Sequence, residues 1–153
     1  MRSLKSLLLL VFCATYVSCT TVDLYEKTVS IPDHEWKSSY KPEFTFTIKD
    51  TTVLYQAYLV IRHTEKYNYK NIWLNYYFQS PGDTLRKETR EFPLADNNGW
   101  YGTGMDDIYE HRIKFAEPGR LKGGNYKFVL ENIMREDPLK EVLNVGIRIE
   151  KVQ

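Results

Sequence analysis

The chain has 153 residues, a formal charge of +1 and two cysteines, with twelve tyrosines, seven phenylalanines and three tryptophans. That length suits one globular domain, and a near-neutral charge of mixed sign argues against a nucleic-acid partner. With so few cysteines, the fold must rest on an apolar, aromatic-rich core rather than on disulfides.

The N-terminus reads as an export signal. Arg2 and Lys5 precede the run Leu7-Leu8-Leu9-Leu10-Val11-Phe12-Cys13-Ala14. A basic head before about ten apolar residues is the layout of a secretory signal. The run falls short of the roughly twenty residues a membrane-spanning helix needs. The small residues Val17-Ser18 before Cys19 are those a lipoprotein signal peptidase accepts, although Tyr16 stands where that pattern usually has Leu. Cleavage there removes residues 1–18, takes away Arg2 and Lys5 with no acid, and shifts the charge from +1 to −1. It leaves one thiol, at the first mature residue. A lone thiol in an exported protein has no intramolecular partner, whereas lipidation of Cys19 consumes it. A diacylglyceryl thioether plus an N-acyl chain gives the two or more chains that stable anchoring requires. The expected organisation is a signal over 1–18, a lipidated cysteine and short tether over 19–30, and a folded domain over 31–153. An early strand around Val22 to Ile31 also fits the pattern.

Beyond the tether, period-two alternation dominates, the signature of half-buried strands. Phe44, Phe46 and Ile48 share one face of Glu43 to Lys49. Thr52 to Arg62 places Val53, Tyr55, Ala57, Leu59 and Ile61 on one face and Leu54, Tyr58 and Val60 on the other, as in a central strand. Ile72, Leu74, Tyr76 and Phe78 oppose Trp73, Asn75 and Tyr77. Turn residues at Ser80-Pro81-Gly82-Asp83 lead into a more polar strand from Thr84 to Phe92, and Asp96-Asn97-Asn98-Gly99 is a second turn. Further strands are expected over Ile108 to Phe115, Tyr126 to Leu130, and through Val145, Ile147 and Ile149. Glu131 to Leu143 has some helical character, limited to one or two turns by Pro138. The expected fold is all-β, an antiparallel sandwich of jelly-roll or immunoglobulin-like type with about eight or nine strands.

Motifs for chemistry are sparse. His34, His63 and His111 stand far apart in the chain with no metal-ligand spacing, and no nucleophile elbow or phosphate loop is present. No metal or cofactor is expected, and no enzymatic activity. Asp106 and Asp107 are the best pair for carboxylate chemistry, but a turn role explains them more simply. The half-buried setting of Arg62, Arg135 and Arg148 calls for carboxylate partners, with Asp107, Glu110 and Glu150 available. Trp73, Tyr67 and Tyr69 lie near a polar loop, and Trp100 and Tyr101 flank Gly102 and Gly104. Packing explains most of these rings; a sugar-binding or protein-binding surface is the alternative. Arg62, Tyr69, Asn71, Trp73, Trp100, Gly102, Gly104, Asp107 and Arg135 are accordingly the candidate surface. The expectation is one continuous region with Arg62 held by Asp107 or Glu110.

The segment from Arg62 to Leu74, with Thr64, Tyr67, Tyr69, Asn71 and Trp73 in order, resembles the gliding motility lipoprotein GldH family. Gly99-Trp100-Tyr101-Gly102-Thr103-Gly104 is similar to that family's glycine-tryptophan turn. So are Tyr126-Lys127-Phe128, Met134 to Leu139 and Val145 to Glu150. The resemblance implies a lipoprotein of the bacterial outer membrane, facing the periplasm. It implies a non-enzymatic part in gliding motility and in the associated envelope and secretion machinery, with protein partners there. A lipid-anchored carbohydrate-binding or glycan-acting module is the alternative from the residues.

Overall fold

The structure, a computed structural model, describes residues 24–152. The signal and Cys19 lie outside the described residues. Twelve strands follow in chain order. They are β1 (Leu24–Ser30), β2 (Glu35–Trp36), β3 (Glu43–Ile48), β4 (Leu54–Thr64), β5 (Asn71–Gln79) and β6 (Arg86–Pro93), then β7 (Thr103–Met105), β8 (Ile108–Lys114), β9 (Gly119–Arg120), β10 (Gly124–Asn132), β11 (Leu139–Lys140) and β12 (Val142–Val152). Eight have six residues or more, so the expected count holds for the long strands.

The architecture is an antiparallel β-sandwich. One sheet runs β1-β12-β4-β8-β7, with β9 paired beside β4, and the other runs β3-β10-β5-β6. β11 pairs separately with β2. Side-chain alternation fixes which face of each strand enters the core. In β3 the pattern is strict, with Phe44, Phe46 and Ile48 buried between exposed neighbours. From the other layer, Leu59 and Ile61 of β4 and Val145, Ile147 and Ile149 of β12 meet Leu74, Phe128 and Leu130 in one core. β4 is central, flanked by β12 and β8, which is why Val60 is also buried on its second face.

β1 is the early strand anticipated above. It pairs with β12 from Leu24↔Glu150 to Ser30↔Asn144. Residues 24–30 therefore belong to the sandwich rather than to a tether. The two strands lie so close that a Cβ on Gly146 would run into the Lys27 carbonyl and sit 2.7 Å from Thr28 Cα.

The helical turn expected within Glu131 to Leu143 does not form. β10 continues to Asn132, whose buried side chain donates from Nδ2 to the Trp36 carbonyl and accepts the Met134 N–H at Oδ1. Leu139 then pairs with Trp36, and both are fully buried. Burying Leu139 and Val142 in the core, with Pro138 beside them, outweighs weak local helix propensity.

Candidate functional site

The two histidines of greatest interest meet through strand register. β4 and β8 pair with Ile61↔His111 and His63↔Tyr109, so His63 and His111 are diagonal neighbours on the core-facing side. Their Nε2 atoms are 2.9 Å apart, and both residues are buried, at 0% and 2% exposure. His63 Nδ1 lies 2.7 Å from the Thr64 carbonyl, which can only accept. The proton is thus assigned to Nδ1, leaving Nε2 of His63 to accept from Nε2–H of His111. Burial depresses the pKa of His63, and burial together with the neighbouring His63 lowers that of His111 to about 4. Both rings are neutral near pH 7, which keeps His63 Nε2 free to accept.

Trp100 closes over this pair. Its ring centroid lies 4.4 Å from that of His63 and 5.7 Å from Tyr109. Tyr67 packs against His63 from the side, at 4.9 Å. A short turn presents the tryptophan: Asp96 N–H donates to the Gly99 carbonyl, Asn98 N–H to Asp96 Oδ1, and Ala95 bridges to Trp100. Leu94 and Ala95 donate to the Lys70 carbonyl, tying the turn to the start of β5. Gly102 then lies directly on β8. A Cβ there would strike the Glu110 carbonyl and come within 2.9 Å of His111 Cε1. The Gly102 requirement is thus one of close approach.

The remaining candidate residues divide among several surfaces. Arg62 alternates with Ile61 and His63, so it points to the outer side of the first sheet. Its Nε and Nη2 bind Glu110 Oε2 at 2.5 Å, and Arg112 Nη2 binds Glu110 Oε1 at 2.8 Å. Glu110 is therefore the partner of Arg62. Asp107 contributes its carbonyl to the Glu65 N–H instead. Asp106 and Asp107 form the turn between β7 and β8, with Asp106 at φ 55°. Gly104 packs under the Tyr109 ring, 2.9 Å from a would-be Cβ. Arg148 also has its carboxylates, Glu26 and Glu150, each at 2.7 Å.

Trp73 belongs elsewhere. It alternates with the buried Ile72 and Leu74 and lies on the outer side of the second sheet, 41% exposed. Its backbone N–H donates to Met134 Sδ, and Asn71 beside it donates to Glu91. Tyr69 packs edge-on to Tyr67 and bonds Glu136, while Arg135 is exposed in the following loop. Arg62 and Trp73 thus face away from each other across the sandwich, and Trp100 sits half-buried at its end. The single region expected from the sequence is divided among two outer faces and one end.

Among the described residues, no group of three His, Cys, Asp or Glu side chains could share a metal ion. The buried histidine pair, roofed by Trp100, joins the turn over 94–101 to the first sheet. Glu131 forms a second polar cluster on the outer side of the second sheet. It accepts from Lys41, Asn75 and Tyr77, and these bonds hold its pKa at about 2 against the opposing effect of burial.

Two antiparallel sheets with a buried histidine pair roofed by Trp100 define a small β-sandwich domain. The GldH lipoprotein family matches residues 23–149, and the chain belongs to that family. It is 29% identical to a gliding motility lipoprotein GldH homolog of Christiangramia forsetii, over 99% of this chain and 98% of the relative. It is 25% identical to the gliding motility lipoprotein GldH of Flavobacterium johnsoniae, over 99% of both chains. Among solved structures, it is similar to a carbohydrate-binding module specific for non-crystalline cellulose. That overlay has a TM-score of 0.46 and 11% identity, covering 85% of this chain and 73% of the module. An infectious bursal disease virus VP2 subviral particle overlays at a TM-score of 0.36 and 15% identity, covering 85% of this chain and 33% of that one.

Proposed function

We propose that the chain is a non-enzymatic interaction component of the gliding and secretion machinery, held at the outer membrane by lipid on Cys19 and facing the periplasm. The observation that carries this reading is the family match along 23–149 behind a lipoprotein signal ending at Ser18-Cys19. Five residue steps separate Cys19 from Leu24, a span of at most about 18 Å. The sandwich would therefore ride close to the membrane surface, with its sheet faces turned toward periplasmic partners. Trp73, with Asn71 on the same face of β5 and the exposed Ile133, whose backbone N–H donates to the Trp73 carbonyl, supplies an exposed aromatic anchor of the kind that dominates protein interfaces.

Two measurements test the reading. Cells fed an alkyne analogue of palmitate should label the wild-type protein and leave Cys19→Ser unlabelled; equal labelling rejects the anchor. Pull-down from solubilised envelopes should recover one reproducible membrane protein, lost in Trp73→Ala. Recovery of no partner, together with retention on a peptidoglycan or polysaccharide column, would replace this reading with the glycan-binding one.

A further inference from the structure

The core is closed at one end and open at the other. Around the histidine pair and along the middle of the strands, Leu59, Ile61, Ile72, Leu74 and Leu130 are completely buried. At the opposite end, Phe46 (6%), Tyr55 (8%), Tyr76 (8%), Phe115 (7%) and Phe128 (5%) all keep some contact with solvent. The cause is a crevice of about 400 Å³ that enters between the two sheets and reaches these rings. That volume falls within the range typical of small-molecule sites, roughly 300–1,000 Å³.

The lining restricts what could bind. Phe46, Ala57, Phe78, Phe115, Phe128 and Ile149 present only hydrocarbon. The two tyrosine hydroxyls of the inner wall are already engaged, Tyr55 donating to the Asp50 carbonyl and Tyr76 to Glu88, while the other two hydroxyls, of Ser80 and Thr84, lie toward the exposed mouth. A sugar inserted among the inner rings would leave its buried hydroxyls without partners. The body of the ligand must be apolar. Packed sheets stand only about 10 Å apart, with side chains filling most of that gap, so the slot admits a slender chain better than a broad ring system. Charge is confined to the rim. Arg86 stands there, 71% exposed and only loosely paired with Asp83 at 3.7 Å, beside the exposed carboxylates Asp83, Glu88 and Glu117, so the rim offers one accessible cation to the carbonyl of an ester or amide head group and disfavours a free anion.

We propose that this crevice binds a single acyl chain, with its polar end toward Arg86. A source is close at hand. Tyr25 of β1 pairs with Ile149, which pairs with Ala57 in the crevice wall. Ile149 itself lines the crevice, so the start of the described chain lies one strand spacing, about 5 Å, from its wall. An acyl group on Cys19, a further five residue steps upstream, is within reach. That source rests on the lipid anchor proposed above. A chain from a surrounding lipid is the other source, and the pocket chemistry is the same for both.

The test uses cells grown on a palmitate analogue carrying a photoactivatable diazirine near its tail. After irradiation, the full-length protein is purified and its adducts are mapped by mass spectrometry. Adducts are expected on the peptides bearing Phe46, Tyr55 to Ala57, Phe115 to Leu121, and Phe128. Leu121→Trp at the mouth and Ala57→Phe in the wall should each reduce them at least about tenfold. Thermal melts identify which of the two variants remains folded. Adducts confined to the wild type, absent in Cys19→Ser, identify the protein's own chain as the occupant; adducts in both identify a surrounding lipid. The mass of the Cys19 peptide reports lipidation independently of either outcome. Adducts absent from these peptides in both proteins, or unchanged in a folded blocking variant, would overturn the proposal.

Discussion

Acidification should weaken the fold in a specific window because of the buried His63–His111 pair. In the hydrogen bond between them His111 donates to His63, whose Nε2 must be unprotonated, and burial of both rings disfavours the charged form of either. In the unfolded chain His111 binds its proton near pH 6.5, whereas in the folded protein it does so near pH 4. The unfolded state thus takes up a proton first as the pH falls. Its contribution is fully present above 6.5 and is lost as the pH drops toward 4; His63, also depressed, acts in the same direction. Each unit of pKa difference corresponds to about 1.4 kcal/mol, so His111 alone accounts for about 3 kcal/mol across the window. That is a substantial part of the roughly 5–15 kcal/mol available to a domain. The carboxylate Glu131, held at about 2, exerts its effect below its ordinary value of 4.5, largely under this range. Urea unfolding at closely spaced pH values between 7 and 4.5 measures the slope. His111→Gln keeps an amide donor for His63 but does not titrate, and it should flatten the curve markedly. A wild-type stability constant from 6.5 to 4.5, or an undiminished slope in His111→Gln, would refute the reasoning.

Other substitutions give distinct outcomes. Gly102→Ala drives a methyl into the Glu110 carbonyl and should cost about 1–3 kcal/mol in chemical denaturation, as overpacking does. Trp100→Ala removes the roof over the histidines and should destabilise by about 3 kcal/mol; a loss under 1 kcal/mol would show that the ring is dispensable for packing. Trp73→Ala, on an exposed face, should stay within about 0.5 kcal/mol of wild type while losing partner capture. Far-ultraviolet circular dichroism should be strand-dominated; a helical fraction near one third would contradict the sandwich.

Much of the fold could be read from period-two patterning. Phe44-x-Phe46-x-Ile48 and Ile72-x-Leu74-x-Tyr76 identify strand, buried face and approximate ends. The failed helix at Glu131 to Leu143 shows the limit: its residues are stabilised by partners nearly a hundred positions away, Trp36 among them. The candidate surface divided for a related reason. Alternation sends Arg62 and His63 to opposite faces, and nothing local in β5 says that Trp73 belongs to the second sheet. The histidine pair left a faint trace. His63 continues the apolar face of Leu59 and Ile61, and His111 shares a face with Ile113 and Phe115. Two imidazoles on apolar faces imply partners, but only the β4–β8 register identifies each as the other's.

The position of β1 has a mechanical consequence. Tension arriving from residues before Leu24 would enter the fold through that strand. Seven consecutive Cα pairs join β1 to β12, and β12 is itself bound along ten pairs to the central β4. Load directed along β1 would be shared by the ladder at once; load across it would open the pairs one by one, beginning at Leu24↔Glu150. Gly146 lets Lys27 and Thr28 settle directly onto the neighbouring backbone, placing the tightest interstrand contact well inside the ladder. Resistance to such pulling is governed by the unfolding rate rather than by equilibrium stability. Gly146→Ala, which puts a methyl against the Lys27 carbonyl, should both lower the resting stability and loosen the ladder, so that the chain releases under force much sooner.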